Sequence, residues 1–401
     1  MNPERRVLSG GDIALSDTPL AAHRSLLAEE FPWTAEAVYL NAASIGPLPA
    51  RTRRAVEEYA ELRSAPHRMQ ERHFFPLLEE ARRLAAQLIQ ADAGEIALAP
   101  NTSYGINLAA RSLPLGAGDV VLVSDREFPA NVYPWLAQRQ RGIEVELVPV
   151  TPEGWPDEAR LLERVRDPRV RVLAVSLVQF GSGYTVDLAA LSHACTESAT
   201  WLVVDAIQAV GQLPVDVQAV PVDVLACGGQ KWLLSPWGSG FVYVRRGLFD
   251  VLPPADVGWM AYAGTDDLNR LTEYSSTLRP NARRYELVTL PYQDIAGMVA
   301  SMRLLLELGI AAIRDHLATI EVPMLTWAQQ HGVAVSSPTD PVHRSAIICL
   351  DVPEAPRAYG ALRRAGVVTS LREGSVRISP HLYNTVDDLM RVCEVLDVSV
   401  R

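Results

Sequence analysis

Trp201-Leu202-Val203-Val204-Asp205-Ala206-Ile207-Gln208-Ala209-Val210-Gly211 begins as an unbroken apolar run and is closed by one carboxylate. An apolar run without alternation is expected of a strand covered on both faces. A carboxylate at its end is costly unless it meets a cation; the plain alternative is an Asp that caps the next helix. The same texture repeats outward in both directions. Glu95–Ala99, Val120–Val123, Val145–Val150, Val170–Val178, Val222–Ala226 and Phe241–Val244 are further short apolar runs set between helical stretches. Strand alternating with helix predicts a mainly parallel sheet of the α/β class.

Beyond this region the period changes. Arg51–Ala65 and His73–Ala91 read as helices, the second with Leu77, Leu78, Ala81, Leu84, Ala85, Leu88 and Ile89 in one apolar stripe. From about Leu290, helices are predicted over Gln293–Leu308 and Ala311–His331. A strand (Ala346–Val352), a helix (Pro356–Ala365), two strands (Val367–Leu371, Ser375–Ile378) and a helix from Thr385 to Leu396 follow, with Asn384 at the N-cap. This is the pattern of a compact α+β unit.

Lys and Arg number 37 against 47 Asp and Glu, a formal charge of −10. That balance disfavours nucleic acid or an anionic membrane as partner. Cys195, Cys227, Cys349 and Cys393 are scattered, with no C-x-x-C pair and no His at ligand spacing, so neither a disulfide framework nor a metal site is expected. No apolar stretch follows Arg5-Arg6 closely enough to form a signal-peptide core, and no apolar run is long enough to span a bilayer. The expectation is a cytoplasmic protein.

In open α/β sheets ligands sit beyond the carboxyl ends of the strands, and four features fall there. Asp205 is the first. Lys231, in Cys227-Gly228-Gly229-Gln230-Lys231-Trp232, leaves a buried strand through two glycines that let the backbone pass close to a bound group. A lysine there is desolvated and suited to imine formation, although most lysines merely snorkel to the surface. Asn101-Thr102-Ser103-Tyr104-Gly105 joins a strand to a helix beginning near Gly105, a phosphate seat or an ordinary N-cap. Phe128, in Asp125-Arg126-Glu127-Phe128-Pro129-Ala130-Asn131, offers a flat face to an aromatic ligand or fills the core.

Taken together, in this order and spacing, these stretches resemble the class V aminotransferase family of fold-type I enzymes dependent on pyridoxal 5′-phosphate (PLP). That family includes cysteine desulfurases, selenocysteine lyases, kynureninases and isopenicillin N epimerase-like proteins. The resemblance runs from Tyr39-Leu40-Asn41-Ala42-Ala43-Ser44 to Tyr383-Asn384-Thr385. It implies an N-terminal segment (1–34) packing with a small domain, a large PLP-binding domain (35–290) with a mainly parallel seven-stranded sheet, and a small C-terminal α+β domain (291–401). It also implies that Lys231 carries the cofactor as a Schiff base and moves the Cα proton, while Asp205 pairs with the pyridinium nitrogen. Gln208 lies against the phenolic oxygen, Thr102 and Ser103 bind the phosphate, and Phe128 stacks on the ring. Gln230 stands where a phosphate-binding His is common. Thr289 reaches the phosphate of a neighbouring subunit, which implies a homodimer with shared sites. Asn41 and Ala43 stand at substrate positions, and Arg377, in Val376-Arg377-Ile378, grips the carboxylate of an amino-acid substrate, a role suited to a planar two-pronged donor.

Two departures bear on the reaction. Desulfurases carry a catalytic Cys on a loop before that arginine, whereas Thr369-Ser370-Leu371-Arg372-Glu373-Gly374-Ser375 is short and lacks one; Cys349, within Ile347-Ile348-Cys349-Leu350, reads as a buried structural thiol. Gly228 replaces a frequent phosphate-binding Ser. The expected activity is therefore transamination or C–S/β-elimination at Cα/Cβ of an amino acid. The alternatives are epimerisation or racemisation of the isopenicillin N epimerase type, and a non-catalytic PLP-fold protein.

Overall fold

In the computed structural model, which describes residues 18–399, the apolar runs form one seven-stranded sheet. Its strands are β1 (Ile96–Leu98), β2 (Val120–Ser124), β3 (Glu144–Val148), β4 (Val170–Ser176), β5 (Trp201–Asp205), β6 (Val224–Gly228) and β7 (Gly240–Val244). They lie in the order β1-β7-β6-β5-β4-β2-β3, all parallel except β7, which runs antiparallel to both neighbours. The lack of alternation in the sequence has its cause in two buried faces. Leu202 and Val204 enter one core cluster and Val203 the other; Val175 and Ala174 divide in the same way.

Helix α1 (Thr102–Ser112) follows β1. It starts earlier than the expected Gly105, because Asn101 Oδ1 accepts from the Tyr104 amide at 3.0 Å and caps the chain there. Gly105 lies inside the helix instead, where a Cβ would come within 2.6 Å of Ala226 Cβ and 2.7 Å of Val242. The missing side chain lets α1 lie directly on the sheet.

A second, antiparallel sheet contains β8 (Ala334–Val335), β9 (Ile348–Asp351), β10 (Ser370–Arg372) and β11 (Ser375–Ile378), in the order β10-β11-β9-β8. The expected single strand Val367–Leu371 is broken at Thr369. Val367–Val368 pairs parallel with Val38–Tyr39, and β10 turns away to pair with β11. The last helix spans Val386–Ser399, and its start corrects the expected cap. Thr385 Oγ1 accepts from the Asp388 amide and Asp388 Oδ2 from the Thr385 amide (3.4 and 2.9 Å), whereas Asn384 Oδ1 is engaged by the His381 amide. Of the N-terminal segment, residues 1–17 lie outside the described residues; further on, Phe31 and Trp33 pack on Tyr383 with ring centroids 4.9 and 5.2 Å apart. Among the described residues no single helix is long and apolar enough to cross a membrane.

Arg82, on the helix Phe75–Leu88, meets Glu286 through Nε and Nη2 at 2.8 and 2.6 Å, and Glu286 Oε1 also accepts from the Leu98 amide at the edge of the sheet. Both side chains are fully enclosed. Removing one partner of such a pair strands a buried charge. Arg82→Ala is expected to lower unfolding stability by about 3–5 kcal/mol, read as a shift in the urea midpoint; a shift near zero would mean that Glu286 finds another partner.

Candidate active site

β6 ends at Gly228, and the backbone then folds into a turn fixed on several sides. The Gly229 amide donates to Ser239 O (2.7 Å), the Gly46 amide to Gln230 O (2.8 Å) and the Leu234 amide to Lys231 O (3.0 Å). A Cβ at Gly46 would lie 1.9 Å from Lys231 O, so only glycine permits this approach. The turn directs the Lys231 amine inward, 5.4 Å from the centre of the Phe128 ring. Phe128 itself stands half-open, its ring meeting Phe180 edge-on at 5.2 Å. Lys231 is also the chain's only lysine, every other basic side chain of the Lys/Arg class being arginine. That signal stood in the composition.

Asp205 closes β5 beside β6, with Oδ1 accepting from the Ile207 amide at 3.0 Å. No described cation is ion-paired with it. Burial raises its pKa to about 7; the Ile207 amide and the charge of Lys231 work against that rise, and Glu127 adds to it. Burial lowers the Lys231 amine to about 8, opposed by Asp205 and reinforced by the like charges of Arg377 and Arg372. The two groups thus feel each other's charge without touching.

At the other end of the pocket, Thr102 Oγ1 accepts from the Gly228 amide at 2.9 Å. A Cβ at Gly228 would fall 2.6 Å from Gln230 Oε1 and 3.3 Å from Thr102 Oγ1, so the glycine keeps a small polar recess open at the start of α1. Ser103 lies half-buried in the same first turn. Asn41 Oδ1 is buried without a hydrogen-bond partner among the described residues, and the Ala43 amide is held by Ser379 Oγ at 3.0 Å. The Gln208 amide is already engaged at both ends, donating to Ala43 O (3.1 Å) and accepting from Trp232 Nε1 (2.7 Å). Thr289 is exposed on the segment leading into the helix Tyr292–Leu308, and no hydrogen bond among those described ties it to this pocket.

Arg377 comes from the second sheet. Its guanidinium is 1% exposed and is spread over Ser370 Oγ (3.1 Å), Phe180 O (2.7 Å) and Ser44 Oγ (2.7 Å), three neutral acceptors and, among the described residues, no carboxylate. A polar cavity of about 220 Å³ opens beside Phe180 and Ser375. Cys349 lies opposite Arg377 in the sheet register and gives its thiol to Gly181 O at 3.0 Å; burial pushes that thiol up to about 11. This is the inert buried thiol expected from its neighbours.

Sequence reasoning passed over the layer behind Asp205. Glu127 is enclosed and accepts from the Ser176 amide (2.7 Å), Gln179 Nε2 (2.8 Å) and the Ser176 hydroxyl, and burial raises its pKa. Ser176 pairs with Asp205 across β4 and β5, so this network lies beside the carboxylate, and the charge of Glu127 adds to the rise in its pKa. Ser44, Ser370 and the Phe180 carbonyl went unread for the same reason: they converge from distant parts of the chain, and no local pattern marks them.

These residues fit PLP. A buried carboxylate lacking a cation partner suits the ring nitrogen, a desolvated amine its aldehyde, the polar recess at a helix N-terminus its phosphate, and the open face of Phe128 its ring. The fold and this pocket define a PLP-dependent enzyme of fold type I. Residues 38–392 match the model described as aminotransferase class-V, and the chain belongs to that family. It is 30% identical over 385 residues to an isopenicillin N epimerase of Streptomyces clavuligerus, covering 90% of this chain and 94% of that one. It is 28% identical to a probable cysteine desulfurase of Methanothermobacter thermautotrophicus (92% and 96% covered) and 29% identical to an uncharacterised aminotransferase, YcbU, of Bacillus subtilis (78% and 80%). In fold it is similar to the apo structure of a cysteine desulfurase from Thermococcus onnurineus, with a TM-score of 0.83 at 21% identity over 94% and 98% of the two chains.

A carboxyl whose pKa is higher in the native fold than in the unfolded chain burdens the fold when ionised. For Asp205 that burden is fully present above about 7 and is relieved as the pH falls toward 4. Cofactor-free Asp205→Asn is therefore expected to melt above the cofactor-free parent at pH 8, with the gap shrinking by more than half at pH 5. A gap that is constant with pH would contradict the buried, cation-free setting of Asp205.

Proposed function

We propose that the protein acts at Cα or Cβ of an amino-acid substrate, by transamination or C–S/β-elimination, with Lys231 as covalent anchor and proton carrier. The observation that carries this reading is the enclosed Arg377, which has three neutral partners and no acid among the described residues, and lies close enough for its charge to lower the Lys231 amine. An incoming α-carboxylate supplies the missing counter-charge, and a guanidinium receives it through two parallel bonds. When bound, PLP supplies an electron sink that stabilises negative charge left at the substrate's Cα.

Every other step belongs to the chain's own groups. Arg377 fixes the carboxylate and so sets which bond at Cα stands nearest Lys231. Lys231, with its amine lowered to about 8 by burial, accepts and returns the Cα proton near neutral pH. Asp205, beside the Glu127–Ser176 network, holds the countercharge at the far end of the pocket. Thr102, Ser103 and Gln230 line the phosphate end. Phe128 covers one face and excludes water, and Gln208 braces Ala43 against Trp232. Asn41, with its unpartnered Oδ1, and Ala43 flank the substrate.

The short turn at 369–375 without a thiol, together with the buried Cys349, supports elimination or transamination over a persulfide route. Epimerisation is the second reading, favoured by the 30% identity to an isopenicillin N epimerase; it requires a second acid on the opposite face of Cα. The proposal extends to a homodimer in which Thr289 reaches the partner's phosphate site. Exposed Trp237, Trp259 and Tyr274 support such an apolar contact. Four free, buried cysteines fit a reducing, cytoplasmic compartment.

Incubating the holoenzyme with a panel of amino acids, while following keto-acid, sulfide and D-isomer release, separates these outcomes. Keto-acid or sulfide release supports the first reading, and D-isomer alone transfers support to the second. Arg377→Ala is expected to raise KM for α-carboxylate substrates by roughly 30-fold or more, about 2 kcal/mol or beyond; unchanged KM would place the carboxylate elsewhere.

A further inference from the structure

The face of the second sheet that carries Arg377 carries a second guanidinium. Across β10 and β11, Ser370 stands opposite Arg377 and Arg372 opposite Ser375. The bond from Arg377 Nε to Ser370 Oγ at 3.1 Å shows that Ser370 and Arg377 project from the same face. Side chains two apart along a strand share a face, so Arg372 projects beside Ser370, about 7 Å further along the strand. The two arginines thus occupy adjacent rows of one surface.

Their surroundings differ in a telling way. Arg377 is enclosed and held by three acceptors, whereas Arg372 is exposed and its guanidinium donates to the carbonyl of its own neighbour, Leu371, at 3.0 Å. Among the described residues no carboxylate lies within ion-pair distance of Arg372. The acid of its row, Asp351, is two strands away and already receives the hydroxyls of Ser336 and Ser375. Glu373, next in sequence, packs its side chain toward Gly181. Arg372 nevertheless stands close enough to the pocket for its charge to be felt at both Lys231 and Arg377. A guanidinium without an acid partner beside the pocket is neutralised by an incoming anion.

We infer that Arg372 is a specificity-determining residue that receives a second carboxylate, so that the preferred substrates are short dicarboxylic amino acids lying with one carboxylate on Arg377 and the other on Arg372. The inference rests on Arg377 as holder of the α-carboxylate. With the α-carboxylate anchored in the inner row, the side chain runs outward along the sheet face, and its terminal carboxylate meets Arg372 in the outer row. An amide in that place leaves Arg372 without its countercharge, and the difference is the selectivity.

The test titrates holoenzyme with glutamate and glutamine, and with aspartate and asparagine, following the absorbance of the bound cofactor. At least one acid is expected to half-saturate at a concentration about tenfold or more below its amide, and Arg372→Gln to bring that ratio within about twofold of one. Calorimetry with glutarate against its monoamide, neither of which has an amine, is expected to show the same contrast and the same loss. Equal half-saturation by acid and amide in the parent protein, or a preference that survives Arg372→Gln, overturns the inference. A holoenzyme that answers the amides as readily as the acids sinks this inference alone. One whose absorbance answers no amino acid, or whose Arg377→Ala variant titrates like the parent, sinks the reading beneath it as well.

Discussion

A buried carboxylate and a buried amine that sense but do not touch each other are the constraint on which the rest of this molecule depends. Asp205 and Lys231 lie at the ends of adjacent strands, each shifted by burial toward its neutral form. Two such groups in direct contact would relieve much of each other's desolvation. Held apart, each carries its own desolvation cost whenever it is charged. A ring with a basic nitrogen at one end and an aldehyde at the other satisfies both. The desolvation of these two groups is thus the counterpart of the pocket's affinity for the cofactor.

The surrounding architecture keeps that spacing rigid. Gly46 lets one loop cross within van der Waals reach of the Lys231 carbonyl, Gly105 seats α1 on the sheet, and Gly228 keeps a recess open at the start of α1. Ser176, on the neighbouring strand, and Glu127, from the loop after β2, stand beside Asp205, and the His381 ring reaches the Trp232 carbonyl to tie the lysine turn to the second sheet. That sheet brings Arg377, and beyond it Arg372, to the open side. The buried carboxylate and amine therefore come from the carboxyl ends of one sheet, and the two guanidinium groups from a second sheet.

The α/β fold was legible because its signal is local. Short Val-rich runs without alternation are expected of strands covered on both faces, and the order of Asp205, Lys231 and Arg377 along the chain carries the family resemblance. Boundaries were less legible where a single side chain decides them. Asn101 starts α1 ahead of Gly105, Thr385 rather than Asn384 caps the last helix, and the strand after Val367 divides at Thr369. The Glu127 network, the braced amide of Gln208 and the row containing Arg372 could not be read from the sequence, because each depends on which residues sheet register sets side by side.

The most direct measurement of the central claim uses the chain's single lysine. Holoenzyme reduced with borohydride, digested and mapped by mass spectrometry is predicted to carry one cofactor adduct per chain, on the peptide containing Lys231. Retained cofactor with no adduct on that peptide, or an adduct on the N-terminal amine in its place, would contradict the pairing of Lys231 with Asp205 across a bound ring.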